Sequence, residues 1–220
     1  MTGQGRLLRA EANREHPNPV LSLITDLVFV SIAAFLLLGY AWTMLFRPVS
    51  VLVVVREVFL TVYLLMALAF LAVRKRANAF TAKKMDYLYT VLGYSAPLLL
   101  QPSSYGGPAI VGASLEVAGL AFVLSAFLCL NRSFGLAPEN RGVKTAGVYR
   151  LVRHPMYLGY ILAEAGFVFD NLSEFNLFAL TVSVLFLLLR LGAEERLLGR
   201  DQLYRSYSRK TRWKLIPFIF

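Results

Sequence analysis

Two polar clusters interrupt a chain that is otherwise mostly apolar, and both have the residue types to hold a charged ligand. The first is Arg153-His154-Pro155 within the run GVYRLVRHPMYLG (Gly147 to Gly159), which leads directly into an apolar segment. A residue before proline is driven out of the helical region, so His154 is expected to be extended, with Pro155 opening a helix where its missing N–H costs nothing. Free backbone N–H groups, the positive end of the helix dipole and the Arg153 guanidinium then converge on one point, which suits a carboxylate or a phosphate. The second cluster is Arg190, Glu194 and Glu195 in RLGAEERLL. Arg190 and Glu194 are four apart and share a helix face, presenting a cation and an anion together. A zwitterionic ligand matches such a pair of clusters. Plainer roles fit the same residues: a helix end anchored among lipid headgroups, and an ordinary ion pair at a helix exit.

The elements that must position these clusters are membrane helices. Of the 220 residues, 57% are hydrophobic and only 16% are charged, and the mean hydropathy is +0.59. Soluble domains carry about one quarter charged residues, so the composition is that of an integral membrane protein. The single cysteine, Cys129, lies in an apolar run, and with only His16 and His154 available a metal site is not expected.

Apolar segments read as Val20 to Phe46, Val49 to Val73, Tyr87 to Leu100, Ala109 to Leu130, Met156 to Phe169 and Phe175 to Leu191. A span needs about 20 residues, so the third and fifth are short, and Gly93 with Pro97 predicts a kinked or broken third helix. If all six span and both termini are cytoplasmic, 21 of the 23 lysines and arginines fall on the cytoplasmic side, Arg47 and Arg56 being the exceptions. The formal charge of +10 is therefore a topology signal, and nucleic acid is not the expected partner. The tight turn at Asn171 to Ser173 makes the last two spans antiparallel and returns the Glu194 cluster to the side of the Arg153 cluster. The expected fold is all-α, a polytopic transmembrane bundle of about six spans with a pocket at the cytoplasmic end of the C-terminal helices. One domain is expected, in three stretches: a cytoplasmic tail over 1–19, helices over 20–130, and a core over 131–220. A long apolar run follows the polar tail, which reads as an anchor rather than a cleaved leader.

The pieces RGVKTAGVY, RHPMY, the Glu194-Glu195 pair, the Tyr204 and Tyr207 pair and the ending RWKLIPFIF, in that order, resemble the isoprenylcysteine carboxyl methyltransferases and the wider group of membrane methyltransferases that includes phospholipid N-methyltransferases. The resemblance covers Asn131 to Phe220 and implies S-adenosylmethionine as cofactor. It places cofactor contacts at Arg141, Gly142, Val143, Lys144, Tyr149, His154, Pro155, Met156, Tyr157 and Glu194, with Glu195 beside them, and associates Arg190 with the acceptor. Arg153 joins this set from its place at the helix start. Arg190 and Glu194 are thus the expected catalytic pair.

The bottom-up chemistry agrees: the cofactor's carboxylate suits Arg153 and its ammonium suits Glu194. No dinucleotide fingerprint exists, the only GxG being Gly3 to Gly5 in the polar tail. A carboxylate acceptor needs no base; an amine must first lose a proton, for which Glu116 and Glu164 are candidates, as they equally are for packing roles. The expected acceptor is lipophilic, of isoprenylcysteine type or a related lipid-like molecule, with a phospholipid amine as the alternative. Sterol-type reductases using NADPH also carry an Arg-His-Pro-x-Tyr turn, usually followed by Gly-Glu, whereas Gly159 here precedes Tyr160. A non-catalytic scaffold holding anionic lipid on its basic loops is a further alternative. On the six-span topology, single cysteines placed at Lys83 and Lys144 are expected to label from the same side of the membrane; labelling from opposite sides would overturn it.

Overall fold

A computed structural model describes residues 19–46, 51–81, 83–103 and 105–220. The polar tail with Arg6, Arg9, Arg14 and His16, and also Arg47, lie outside the described residues. Among those described, the chain is all-α, with helices α1 (Pro19–Phe46), α2 (Val51–Val73), α3 (Lys84–Ser95), α4 (Ala109–Leu130), α5 (Pro155–Asp170), α6 (Glu174–Leu198) and α7 (Gln202–Lys210). A two-residue antiparallel ladder, β1 (Ala79–Phe80) with β2 (Glu139–Asn140), pairs Ala79 with Asn140 and Phe80 with Glu139. Each apolar segment of the sequence is a helix, and α7 is an addition beyond them.

Among the described residues, three helices are long and apolar enough to cross a membrane: Val20–Trp42, Ile110–Ser133 and Glu174–Leu198, with Leu60–Val73 a shorter apolar stretch. Their outward faces are apolar, as a lipid solvent requires; Phe35 and Leu38 are both about 70% exposed. At 12 and 16 residues, α3 and α5 measure about 18 and 24 Å, less than the roughly 30 Å hydrocarbon core. Pro97 explains the first of these, because α3 gives way at Ala96 to a 3-10 turn over Ala96–Leu99.

The closest packing is between antiparallel α4 and α5, and glycine makes it possible. Gly112 and Gly119 on one helix, and Gly159 and Gly166 on the other, each recur after seven residues along the shared seam. A Cβ at Gly119 would lie 2.5 Å from the Ala163 nitrogen and 2.6 Å from the Gly159 oxygen, so only hydrogen fits where the backbones meet. Phe127, fully buried further along α4, stacks on Phe70 of α2 at 5.9 Å and tilts against Phe134 at 4.7 Å, tying the seam to the remaining helices.

The loops sort to two ends. At one, Gln101 and Ser103 bond to Asn176 and Asn171 at the α5–α6 turn, and the Gly107 nitrogen donates to the Phe169 oxygen at 2.9 Å. At the other, Arg132 donates to the Val73 oxygen at 2.9 Å and Arg74 pairs with Asp26 at 2.5 Å, which gathers the ends of α1, α2 and α4. The start of α5, the end of α6, and α7 meet at this same end through Arg153, Glu195 and Tyr204. Replacing Gly119 with valine is expected to cost about 3 kcal/mol, the upper part of the overpacking range, because the atoms it meets are backbone. Gly39→Ala, with nothing within 4 Å, is the neutral control, and thermal unfolding in detergent measures both.

Candidate functional site

The Arg153-His154-Pro155 turn forms as the local sequence dictates. His154 sits outside the helical region (φ −124°, ψ 62°) and Pro155 is the first residue of α5. The anion slot at this helix start is filled from within the protein. Glu195 receives Arg153 at 2.5 Å and His154 Nε2 at 2.7 Å, and the Tyr204 hydroxyl donates to the same carboxylate. Because a carboxylate only accepts, His154 Nε2 is the donor in this contact. The main-chain N–H groups of Arg153 and His154 are taken as well, donating to the Trp213 and Lys214 oxygens at 2.9 and 2.8 Å. The C-terminal tail thus runs alongside the turn and seats Leu215 against Tyr157, Leu187 and Leu191.

One helical position earlier, Glu194 faces a different space. The Tyr157 hydroxyl donates to its Oε1, Arg190 lies 3.4 Å from that oxygen, and His154 Nδ1 lies 3.7 Å from Oε2. The Arg190 guanidinium is held between two aromatic faces, 4.7 Å from the Tyr94 centroid and 5.1 Å from that of Tyr157, and its Nε has no hydrogen-bond partner. Stacking of this kind restrains a delocalised cation without using its donors.

The loop before the motif closes the opposite wall. Asn140 accepts from the Gly142 nitrogen at 2.9 Å and donates to Asp201 at 2.8 Å; the φ of 99° at Gly142 is one that side chains rarely adopt. Arg141 pairs with Glu139 at 2.5 Å and donates to the Lys75 carbonyl, fastening this loop to the end of α2. Burial pushes the Glu139 carboxyl above its ordinary range, and the Arg141 guanidinium opposes that rise. Tyr207 donates to the Tyr149 carbonyl at 2.7 Å, and burial pushes its phenol up to about 12, so it is a donor at neutral pH.

Between these walls lies a cavity that, counted with the open solvent at its mouth, takes in about 800 Å³. Arg141, Gly142, Val143, Lys144, Tyr149, Arg153, His154, Met156, Tyr157, Arg190 and Glu194 all line it. Pro155 and Glu195 do not: the first is buried in the turn and the second is spent on Arg153 and His154. The lining also holds residues that sequence reasoning missed, among them Phe134, Glu139 and Tyr160. Phe134 and Glu139 flank the RGVKTAGVY run without a motif of their own, and Tyr160 reads as one more apolar helix residue.

A second cavity, about 1000 Å³ when counted with the open space at its mouth, lies among α1 to α6 and is mostly apolar, lined by Phe29, Leu36, Leu64, Leu98, Leu120 and Leu187 among others. It shares Tyr160 and Arg190 with the first. Glu164 lines this second cavity, whereas Glu116 lines neither; its Cγ packs against Gly166 in the α4–α5 seam.

Residues 108–205 match the family model described as phospholipid methyltransferase. Over this segment, a little under half of the chain, the protein is similar to that family. The segment contains α4 to α6 and every lining residue of the polar cavity except Tyr207. No curated protein and no solved structure matches the chain. The family's name speaks of methyl transfer to a phospholipid, and the helices long and apolar enough to cross a membrane agree with an integral membrane protein. Among the described residues, no group of three His, Cys, Asp or Glu side chains is placed to hold a metal ion.

Removing the Glu195 carboxylate leaves Arg153 and His154 unpaired in a largely buried position. Glu195→Ala is therefore expected to lower unfolding stability by about 3 kcal/mol, at the low end for breaking a buried pair, as measured by thermal or urea unfolding in detergent. A change below about 0.5 kcal/mol, as for an exposed ion pair, would show that the clamp carries no such weight.

Proposed function

We propose that this protein is a membrane methyltransferase that uses S-adenosylmethionine in the polar cavity and methylates a lipophilic acceptor held in the apolar one. The observation that carries the reading is that the two cavities share Tyr160 and Arg190, so a water-soluble donor and a lipid-soluble acceptor can meet at one place without either leaving its own solvent. The polar cavity fits such a donor. It offers an anion at Glu194 for an ammonium, aromatic walls at Phe134, Tyr149 and Tyr157, and a cation at Lys144. Arg153, already held by Glu195, leaves Lys144 as the better match for the donor's carboxylate, because no acidic partner holds it among the described residues.

When bound, S-adenosylmethionine supplies an electrophilic methyl group whose transfer to the acceptor leaves a neutral thioether. The chain's own part is alignment and exclusion of water, which can account for much of the rate in an in-line displacement. Arg190, fixed between Tyr94 and Tyr157, offers its free Nε to a carboxylate or phosphate of the acceptor, while the acceptor's apolar body lies among the helices. An anionic or polar headgroup suits this cation better than an isolated ammonium does. A carboxylate acceptor of isoprenylcysteine type and a phospholipid bound through its phosphate both meet that condition. The basic loops at the site end support a cytoplasmic position for it.

Calorimetry on the purified protein is expected to give binding of S-adenosylmethionine and none of NADPH; NADPH binding alone would move the protein to a reductase reading. Glu194→Gln is expected to weaken cofactor binding by about 1.5 to 3 kcal/mol, the range for a hydrogen bond to a charged group. Arg190→Ala is expected to leave that affinity nearly unchanged while depressing methyl transfer, and equal losses of cofactor binding in both variants would overturn this division.

A further inference from the structure

The apolar cavity contains a carboxyl group that the proposed reaction does not use. Glu164 projects from α5 one helical turn beyond Tyr160, and the side chain of Ser183 on α6 hydrogen-bonds it. A serine hydroxyl has a single proton to give and so satisfies one carboxyl oxygen. The other, Oε2, is buried without a partner. Leaving a buried acceptor unmatched costs about 1 to 3 kcal/mol, and the walls around this one are mostly leucine, isoleucine, phenylalanine, alanine and tyrosine. Glu164 and Arg190 are the two charged residues lining this cavity. Ser183 marks the level of Glu164, and seven residues of α6 separate Ser183 from Arg190, which is about 10 Å along the helix.

We propose that Glu164 is a specificity residue that accepts a hydrogen bond from a hydroxyl or ammonium group carried on the apolar body of the acceptor, about 10 Å from the headgroup at Arg190. This rests on the reading that the acceptor occupies the apolar cavity, and it narrows the class. A plain acyl or prenyl chain has no donor to give and would bury Glu164 unmatched. The acceptor is instead a lipophile polar at two points, its reactive head and a donor partway along its length. Sites built around a buried hydrogen bond discriminate strongly against analogues that lack the group, because the protein's own polar atom is then left unpaired.

The test uses the full chain in non-ionic detergent and three probes of equal length: dodecane, 1-dodecanol and dodecylamine. Each displaces an environment-sensitive apolar dye from the wild type, Glu164→Gln and Glu164→Leu. The wild type is expected to prefer the alcohol and the amine over the alkane by about ten-fold or more. Glu164→Leu is expected to abolish that preference while keeping or improving dodecane affinity. Glu164→Gln, which conserves shape, is expected to keep the alcohol and lose the amine, and serves if the leucine variant does not fold. Equal affinity of the wild type for all three probes, an unchanged preference in Glu164→Leu, or no displacement by any probe would overturn the proposal. S-adenosylmethionine binding, measured in parallel, reads the other cavity, which Glu164 does not line: its failure with donor preference intact would defeat the function reading alone.

Discussion

The carboxylate of Glu195 holds together the start of α5, the end of α6 and the first turn of α7. It neutralises Arg153 and orders His154 and Tyr204 in a region where charges are costly to bury unless paired. The dipole of α5 adds to the attraction, since its positive end points at the same carboxylate. The main-chain bonds from Arg153 and His154 to the tail then follow, and with them the seat of Leu215. The clamp fixes the helix end on which the neighbouring Glu194 stands. With it, Glu194 turns toward the cavity and the Tyr157 hydroxyl.

Adjacent glutamates on one helix consequently have different surroundings. Successive residues point about 100° apart on a helix, so one meets the tail side and the other the cavity. The cation that sequence reasoning assigned to a ligand's carboxylate is occupied by a protein carboxylate, and Lys144 on the opposite wall is left for that purpose in the proposed reaction. Burial and hydrogen bonding also keep the surrounding phenols protonated, as at Tyr204, where nearness to Glu195 adds to the upward push.

The glycine seam between α4 and α5 acts at longer range. Close approach of these helices fixes the rotation of α5, and that rotation places Tyr157, Tyr160 and Glu164 along one side, facing α6 and the two cavities. Short α3, broken at Pro97, leaves Tyr94 over Arg190, so that the cation is held by ring faces from two helices. Precise placement of Arg190 depends on helices with no motif of their own, which accounts for the many apolar residues behind a small number of polar ones.

The sequence by itself determined the class of fold, and most of the residues it singled out line one cavity. Hydropathy set the place of each apolar helix, because exclusion of unpaired backbone from lipid leaves little else to form, although α6 runs seven residues past Leu191 and α3 stops five short of Leu100. The rule for residues before proline set the turn at His154, and the spacing of Arg190 and Glu194 set their common face. What those side chains bond to was decided only by tertiary structure. Glu194 and Glu195 are alike as letters, and which one meets Arg153 depends on the rotation of α6 against α5. The seven-residue glycine spacing was present to be read, but its meaning required the facing helix. Phe134, Tyr94, Tyr160 and the junction of the two cavities left no local signal, since each takes its role from residues far along the chain, and periodicity within one helix carries no information about the neighbour it will meet.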